Sequence, residues 1–202
     1  MNFTQIDFVY PLFDEIINTF QKLYPDRTCV IAGGAVRDIL LNREPKDIDI
    51  YFLGVNWDTG SRVEFEKKLS ASQIYYEIAT SNLPWHRYER YLLLSIIWKT
   101  SLRLKNCELQ FMGFPANSVE DLIRTFDWEI CLFAYSNGKI ITTSASLDLL
   151  NTLKTYDPKN RGWKPPKMKL CNIQFPISNL RRGFKFESRY PLKLEYESIL
   201  KL

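Results

Sequence analysis

Histidine and cysteine, the usual ligands of structural zinc, are scarce in this chain. Of its 202 residues one is histidine, His86, and four are cysteines that lie far apart, with no Cys-x-x-Cys pair. A structural zinc site needs four closely spaced ligands of this kind, and a disulfide framework needs paired cysteines in a small chain. We therefore exclude both and expect a protein of the reducing cytoplasm.

Long hydrophobic runs are also missing. The longest, such as Tyr91–Trp98, fall well short of the roughly 20 apolar residues that cross a bilayer. The first twenty positions contain three acidic residues and no basic residue that opens an apolar stretch, so we expect no signal peptide and no membrane partner. At 46% hydrophobic and 25% charged residues, the composition is typical of a globular domain with a small appendage.

Charge is distributed unevenly along the chain. The net charge is +4, but residues 151–202 carry twelve Lys or Arg and four Asp or Glu, a balance of +8. Residues 1–150 therefore carry 15 basic and 19 acidic residues, a balance of −4. Two interpretations stay open for the basic segment: contact with a polyanion, or a solvated basic surface.

Apolar spacing predicts an α/β (α+β) domain over residues 1–150, followed by a proline-containing linker at 151–178 and a helical tail at 179–202. Ser118 is the expected N-cap of one helix. The predicted helices are Phe8–Tyr24, Ala35–Leu41, Val63–Leu69, Ser118–Ile123 and Leu147–Leu153, and the predicted strands are Cys29–Ala32, Asp47–Phe52, Tyr91–Trp98 and Ser101–Met112.

Two short motifs lie close together near the start of the chain. Gly33-Gly34 joins a predicted strand to a predicted helix, where backbone N–H groups point out of the helix and favour an anion such as a triphosphate. Asp47-Ile48-Asp49 places two carboxylates on one face of a strand, where they can bind a hard divalent cation through oxygen. Phosphoryl and nucleotidyl transfer need both parts side by side.

Residues 31–50 resemble the start of the head domain of poly(A) polymerases and CCA-adding tRNA nucleotidyltransferases, in the DNA polymerase β superfamily. That family has Gly-Gly-x-Val-Arg-Asp-x-Leu-Leu followed by Asp-x-Asp. The resemblance implies a polymerase β-like mixed sheet flanked by helices. It also implies transfer of a nucleoside monophosphate from a nucleoside triphosphate with Mg²⁺ or Mn²⁺, and an RNA 3′ end, tRNA-like, as acceptor.

The same resemblance assigns roles to individual residues. Asp47 and Asp49 would hold the metal, with Glu108 as a third carboxylate on a later strand. The triphosphate would lie over Gly33 and Gly34, with Arg37 and Asp38 close by. Asp38 is also expected to pair with an arginine or a neighbouring loop.

Downstream the match is partial. Asp127 matches the aspartate of the family's Arg-Arg-Asp-Phe-Thr-Ile-Asn-Ala motif, but Thr125 and Phe126 stand at the arginines and Cys131 at the asparagine. Arg124 is the nearby replacement charge, so Arg124 and Asp127 are expected at the nucleotide, with altered affinity and base preference.

The segment Leu180–Tyr190 is similar to the helix that opens the family's neck domain. We predict a helix over residues 180–193 that is anchored by Leu180, Phe184 and Leu192. Its basic side would contact RNA phosphates through Arg181, Arg182, Lys185 and Arg189.

Three functions remain open at this point. The first is an RNA nucleotidyltransferase, and the second is a nucleotidyltransferase that modifies a protein or a small molecule. The third is a non-catalytic member of the fold that binds a protein partner. The intact Gly-Gly and Asp-x-Asp motifs favour an enzyme, whereas the missing arginines favour the third function.

Overall fold

A mixed eight-stranded sheet forms the centre of the computed structural model. The described residues are 1–56, 59–72, 74, 77–78, 92–99, 106–157, 159–160, 162–173 and 176–200. His86, the predicted strand ends at Tyr91 and 101–105, and the last two residues of the predicted tail lie outside them. The strands are β1 Phe3–Asp7, β2 Cys29–Ala32, β3 Asp47–Leu53, β4 Glu77–Ile78, β5 Leu92–Lys99, β6 Asn106–Phe114, β7 Phe133–Ser136, β8 Lys139–Thr143, β9 Lys167–Met168 and β10 Lys193–Leu194. The helices are α1 Pro11–Phe20, α2 Gly34–Leu40, α3 Thr59–Ala71, α4 Val119–Arg124, α5 Ser144–Thr155, α6 Pro176–Arg189 and α7 Tyr196–Ile199.

The strand order of the large sheet is β1-β8-β7-β2-β3-β6-β5-β4, and β9 pairs with β10 separately. The central strand β3 is antiparallel to β2 and parallel to β6. The strands predicted at Tyr91–Trp98 and Ser101–Met112 correspond to β5 and β6, which pair antiparallel. The predicted fold class, a mixed α/β sheet flanked by helices, is therefore confirmed.

Both faces of the sheet are covered. Alternating residues of β2 point to opposite sides, so that Ile31 belongs to a core with α1 and α3 while Val30 belongs to a core with α4. The aromatic residues Phe52, Phe65 and Phe111 are fully buried in the first core. These two layers pack on both faces of β3, while its first residue, Asp47, stays exposed at the end of the strand.

Several helix bounds differ from the sequence prediction, among them those of α1, α3, α5 and the tail helix α6, which is predicted over 180–193 and observed over Pro176–Arg189. The first helix begins at Pro11 instead of Phe8, because proline suits the first turn, where its missing N–H has no intrahelical acceptor. Helix α3 is longer than predicted at both ends. The expected N-cap is confirmed, since the Ser118 side chain accepts a hydrogen bond of 3.0 Å from the backbone N–H of Asp121.

A third hydrophobic cluster contains residues from both sides of position 150 in the chain. Trp128 is fully buried and packs with residues from α5, from 168–170 and from α6 and β10. Its indole N–H donates to the carbonyl of Asn179 at 2.8 Å. The division into a domain, a linker and a tail stays a prediction, but the tail shares a core with the motif that contains Asp127.

The predicted anchors of the tail helix were partly wrong. Phe184 is 54% exposed, whereas Gly183 and Phe186 are buried in α6, and Leu192 is buried as expected. Compared with the prediction, the helix is rotated about its axis, because Gly183 is the residue that faces Trp128. A Cβ on Gly183 would lie 2.5 Å from the Trp128 ring. Among the described helices, none has the length and apolar character needed to cross a bilayer.

Candidate active site

The two aspartates of the Asp-x-Asp motif lie on the same face of β3. Ile48 and Ile50 are buried, Asp47 is exposed and Asp49 is half-buried, which is the alternation expected where one face is left open at the start of the strand. The parallel pairing with β6 places Glu108 in register with Asp47. The three predicted carboxylates thus lie near the starts of the neighbouring parallel strands β3 and β6.

Crowding among these carboxylates changes their acidity. Burial, and after it the negative charge of Asp47, raise the pKa of Asp49 to about 7; Glu108 adds to this rise and Arg182 opposes it. The pKa of Asp47 is also raised, first because the surrounding protein removes water from its carboxylate and then because of the negative charge of Glu108. Such mutual destabilisation is relieved when a cation binds between the groups.

Gly33 brings the backbone against this acidic cluster. It has φ 79° and ψ −131°, a conformation open essentially to glycine alone. A Cβ at this position would lie 3.8 Å from Asp49 Oδ2. The first N–H groups of α2, which have no intrahelical acceptor, therefore begin beside Asp49.

We expect Gly33→Ala to impair the site more than Gly34→Ala. The positive φ is at Gly33, so a side chain there costs on the order of 1–3 kcal/mol of backbone strain. A Cβ on Gly34 would instead press on the end of the Arg37 side chain at 3.3 Å, a contact that is relieved by a movement of a few tenths of an ångström. Thermal unfolding and nucleotide titration of both variants will check this, and equal losses would contradict it.

Arg37 is directed into the protein. It is 4% exposed, pairs with Asp38 at 2.8 Å and donates to Cys131 Sγ at 3.6 Å. Its guanidinium lies 5.3 Å and 5.1 Å from the ring centroids of Phe186 and Tyr190 on α6 and just after it. Arg37 therefore fastens α2 to the C-terminal segment.

Asp38 takes part in the same fastening. It accepts a hydrogen bond of 2.6 Å from the Tyr190 hydroxyl in addition to its pair with Arg37. The expected pairing of Asp38 with an arginine is thus observed. A contact of either residue with a triphosphate stays a prediction.

Asp127 is buried and forms an ion pair with Arg182 of α6 at 3.1 Å. Its other carboxylate oxygen accepts the backbone N–H of Trp128 at 3.0 Å. Burial raises the pKa of Asp127, and Arg182 opposes that rise. Cys131, which stands at the family's asparagine, lies between the two guanidinium groups of Arg37 and Arg182.

The remaining predicted binding residues are basic and lie on α4 and α6. Arg124 is exposed, pairs with Asp121 at 2.9 Å and lies 5.1 Å from the Phe3 ring. Arg181 and Arg189 are exposed on α6, while Lys185 is exposed but near enough to Asp47 for their charges to interact. Arg182 and Arg189 lie near enough to Lys185 for their charges to interact, and contact of these basic residues with RNA stays a prediction.

The metal prediction rests on the donor set. Within the described part of the chain, no group of three acidic, cysteine or histidine side chains is placed to hold a metal ion. Carboxylate pairs nevertheless suit Mg²⁺, which is commonly held by one or two carboxylates together with substrate phosphates. Asp47 and Asp49 fit that role, and Glu108 as a third ligand stays a prediction.

A family model covers most of this arrangement. Residues 6–153, well over half of the chain, match the model of the Gabija anti-defense 2 family protein. The chain belongs to the Gabija anti-defense 2 family. The expected membership of the poly(A) polymerase and CCA-adding family is therefore corrected, although the fold is shared. No curated protein matches the sequence.

Solved CCA-adding enzymes share this family member's fold. A Thermotoga maritima CCA-adding enzyme complexed with tRNA aligns with TM-score 0.57 and 16% identity, over 100% of this chain and 45% of that chain. A CCA-adding enzyme in complex with CTP aligns with TM-score 0.62 and 17% identity, over the same shares of the two chains. A tRNA-processing enzyme in an apo form aligns with TM-score 0.58 and 20% identity, over 96% of this chain and 46% of that chain. The chain spans less than half of each, and at these identities the likeness shows the fold.

Sequence reasoning missed the groups that α6 brings to the site. Phe186 and Tyr190, which enclose Arg37, lie four residues apart and so share a helix face. Gly183, one turn earlier on that face, marked the close approach to Trp128. The spacing Gly183, Phe186, Tyr190 could have identified the buried face, had the glycine been taken as a packing position.

Proposed function

We propose that this protein is a metal-dependent nucleotidyltransferase that transfers a nucleoside monophosphate from a nucleoside triphosphate. We also propose that this activity acts against the Gabija defence named in its family. The carrying observation is the clustering of Asp47 and Asp49 with Glu108, directly beside the Gly33 backbone. The likeness in fold to CCA-adding enzymes solved with CTP and with ATP supports a triphosphate substrate.

Asp47 and Asp49 would hold the cation. When bound, a divalent ion there supplies charge neutralisation at the reacting phosphate and lowers the pKa of an attacking hydroxyl. The acceptor oxygen bonds to the α-phosphorus, the bond to the bridging oxygen breaks, and pyrophosphate leaves while the acceptor proton passes to solvent. The chain's own groups bind and orient. The Gly33 N–H donates to the carbonyl of Phe133, so the backbone N–H groups offered to the phosphates begin with Gly34 at the start of α2, and the ion pair with Asp127 orients Arg182.

The acceptor proposed first is an RNA 3′ end, tRNA-like. It is supported by the +8 balance of residues 151–202 and by the exposure of Arg181 and Arg189. The likeness to an enzyme solved with tRNA points the same way. The family match favours a second candidate, in which the acceptor is a protein component of the Gabija defence.

A turnover assay separates these candidates. The purified protein is incubated with Mg²⁺ and each of the four α-³²P-labelled triphosphates, against total RNA, total protein or purified Gabija components. We expect label to appear in one acceptor class and only with the divalent ion. If none of these acceptors takes up label from the folded protein, a non-catalytic role replaces the enzymatic one.

Cation binding should depend on pH through Asp49. Because the pKa of Asp49 is raised to about 7, the group must lose a proton to bind a cation below that pH. We expect affinity for Mn²⁺ to rise between pH 6 and 8 and about one proton to be released per ion near pH 6. Calorimetry in two buffers of different ionisation enthalpy measures this release, and pH-independent binding would contradict it.

The same shift predicts how the metal-free protein responds to pH. The folded state holds a proton on Asp49 that the unfolded chain has already lost above about pH 4, so the free energy of unfolding should fall as pH rises from about 4 to 7. Asp49→Asn should reduce this slope, to which Asp47 and Asp127 also contribute through their raised pKa values, whereas Asp7→Asn on the edge strand should keep all of it. Denaturant melts at several pH values compare the three proteins.

A further inference from the structure

Helix α6 turns part of its positive charge toward the acidic cluster. Arg182 pairs with Asp127 at 3.1 Å, and its charge also opposes the raised pKa of Asp49. Lys185, one turn later, interacts with Asp47. These two side chains therefore lie on the same side of the helix as the carboxylates of β3.

The cations here are crowded as well. Burial, and after it the charges of Arg189, Arg182 and Lys46, lower the pKa of Lys185, and only Asp47 opposes the decrease. A group of four cations that repel one another binds a compact polyanion favourably, since each phosphate charge removes part of the repulsion. The cluster thus has the electrostatics of an anion site directly beside the carboxylate pair.

The helix that carries these cations is held firmly. Gly183 lies against the fully buried Trp128, and the Arg37 guanidinium contacts both Phe186 and Tyr190. Arg182 is oriented by the buried Asp127 while 38% of its side chain stays exposed. Such preorganisation means that little side-chain entropy is lost when a ligand binds.

We propose that α6 forms the polyphosphate-binding side of the active site. In this arrangement Arg182, held by Asp127, and Lys185, together with Lys46 from the segment before β3, bind the phosphates of the nucleoside triphosphate. The identity of the ligand as a nucleoside triphosphate rests on the proposed function. The position of the cations favours this ligand over RNA. Arg182 and Lys185 lie beside Asp49 and Asp47, where the reacting phosphate would lie. Arg181, by contrast, is exposed to solvent.

The test measures dissociation constants for ATP, CTP, GTP, UTP and inorganic tripolyphosphate in MgCl₂ by calorimetry. The variants are Arg182→Gln, Arg182→Lys and Lys185→Gln, and the control is Arg181→Gln, which loses the same charge from the adjacent exposed position. We expect Arg182→Gln to weaken all five ligands by about the same factor, on the order of 10-fold to 100-fold. Arg182→Lys should recover part of the loss, and Arg181→Gln should leave triphosphate affinity unchanged.

Melting curves of each variant separate binding from folding. If Arg182→Gln fails to fold, Lys185→Gln, which changes an exposed side chain, decides the question alone. If Arg182→Gln and Lys185→Gln bind triphosphate as tightly as the wild-type protein, the inference is overturned. If these variants also retain less RNA on a filter, α6 is an RNA-binding helix and the proposed reaction still stands. Binding of tripolyphosphate without nucleotidyl transfer would keep this site and refute the reaction. A wild-type protein that binds none of the five ligands would refute both.

Discussion

Asp47→Asn and Asp49→Asn should each reduce nucleotidyl transfer by on the order of 10³-fold or more. A divalent ion contributes several kcal/mol of charge stabilisation in the transition state, and each 1.36 kcal/mol corresponds to a factor of ten in rate. Asparagine has nearly the same shape as aspartate but lacks the negative charge that holds the ion. Initial rates with labelled triphosphate and the acceptor identified by turnover will measure the effect.

The free energy of unfolding of these two variants should not decrease together with their rate. Burial and mutual repulsion raise the pKa of both carboxyls, so removing one charge should leave the free energy of unfolding unchanged or raise it above pH 7. Asp7→Asn on exposed β1 is the matched control and should change neither rate nor stability. A double variant of Asp47 and Asp49 that retained wild-type rates would remove the catalytic role of the pair.

Gly183→Ala should destabilise the protein even though alanine is the better helix former. Helix propensity alone predicts a gain of about 1 kcal/mol. The added Cβ would, however, lie 2.5 Å and 3.0 Å from two ring atoms of Trp128 and 3.2 Å from a methyl group of Leu194. Overpacking of this kind costs about 1–3 kcal/mol, so we expect a net loss in the free energy of unfolding, measured by urea denaturation.

The same variant should also weaken triphosphate binding, because α6 carries Arg182 and Lys185. Ser188→Ala on the exposed side of the helix serves as the control, since it alters propensity without touching the core. A Gly183→Ala protein as stable as the Ser188→Ala protein would show that the contact with Trp128 yields easily. The rotation of α6 observed in the structure would then need another cause.

The acidic pair could be predicted because its geometry is local. Alternation along a strand fixes which residues share a face, so Asp47 and Asp49 needed no knowledge of the rest of the fold. Gly-Gly at a strand-to-helix turn is local in the same sense, although only the structure identifies Gly33, not Gly34, as the residue with positive φ. The register that brings Glu108 opposite Asp47 joins strands far apart in sequence, and the family resemblance alone pointed to it.

The orientation of α6 could not be predicted from its own sequence. Leu180 and Phe184 form as good an apolar pair as Gly183 with Phe186, and the choice between the two faces depends on Trp128, more than fifty residues away. The same rotation determines that Arg182 meets Asp127 while Arg181 stays in solvent. Helical periodicity gives the spacing of a face, but the partner surface selects the face that is buried.

The packing around Trp128 has a practical consequence for recombinant fragments. A fragment that ended at residue 153, the last position of the family match, would retain Trp128 and Ile130 but lose Met168, Phe186 and Leu194, which cover them. Exposed aromatic surface of this kind promotes aggregation during expression. It would also leave the Arg37 guanidinium without the two rings that enclose it. Fragments designed for crystallisation should therefore extend at least to Leu194, and limited proteolysis should release no stable product that ends before it.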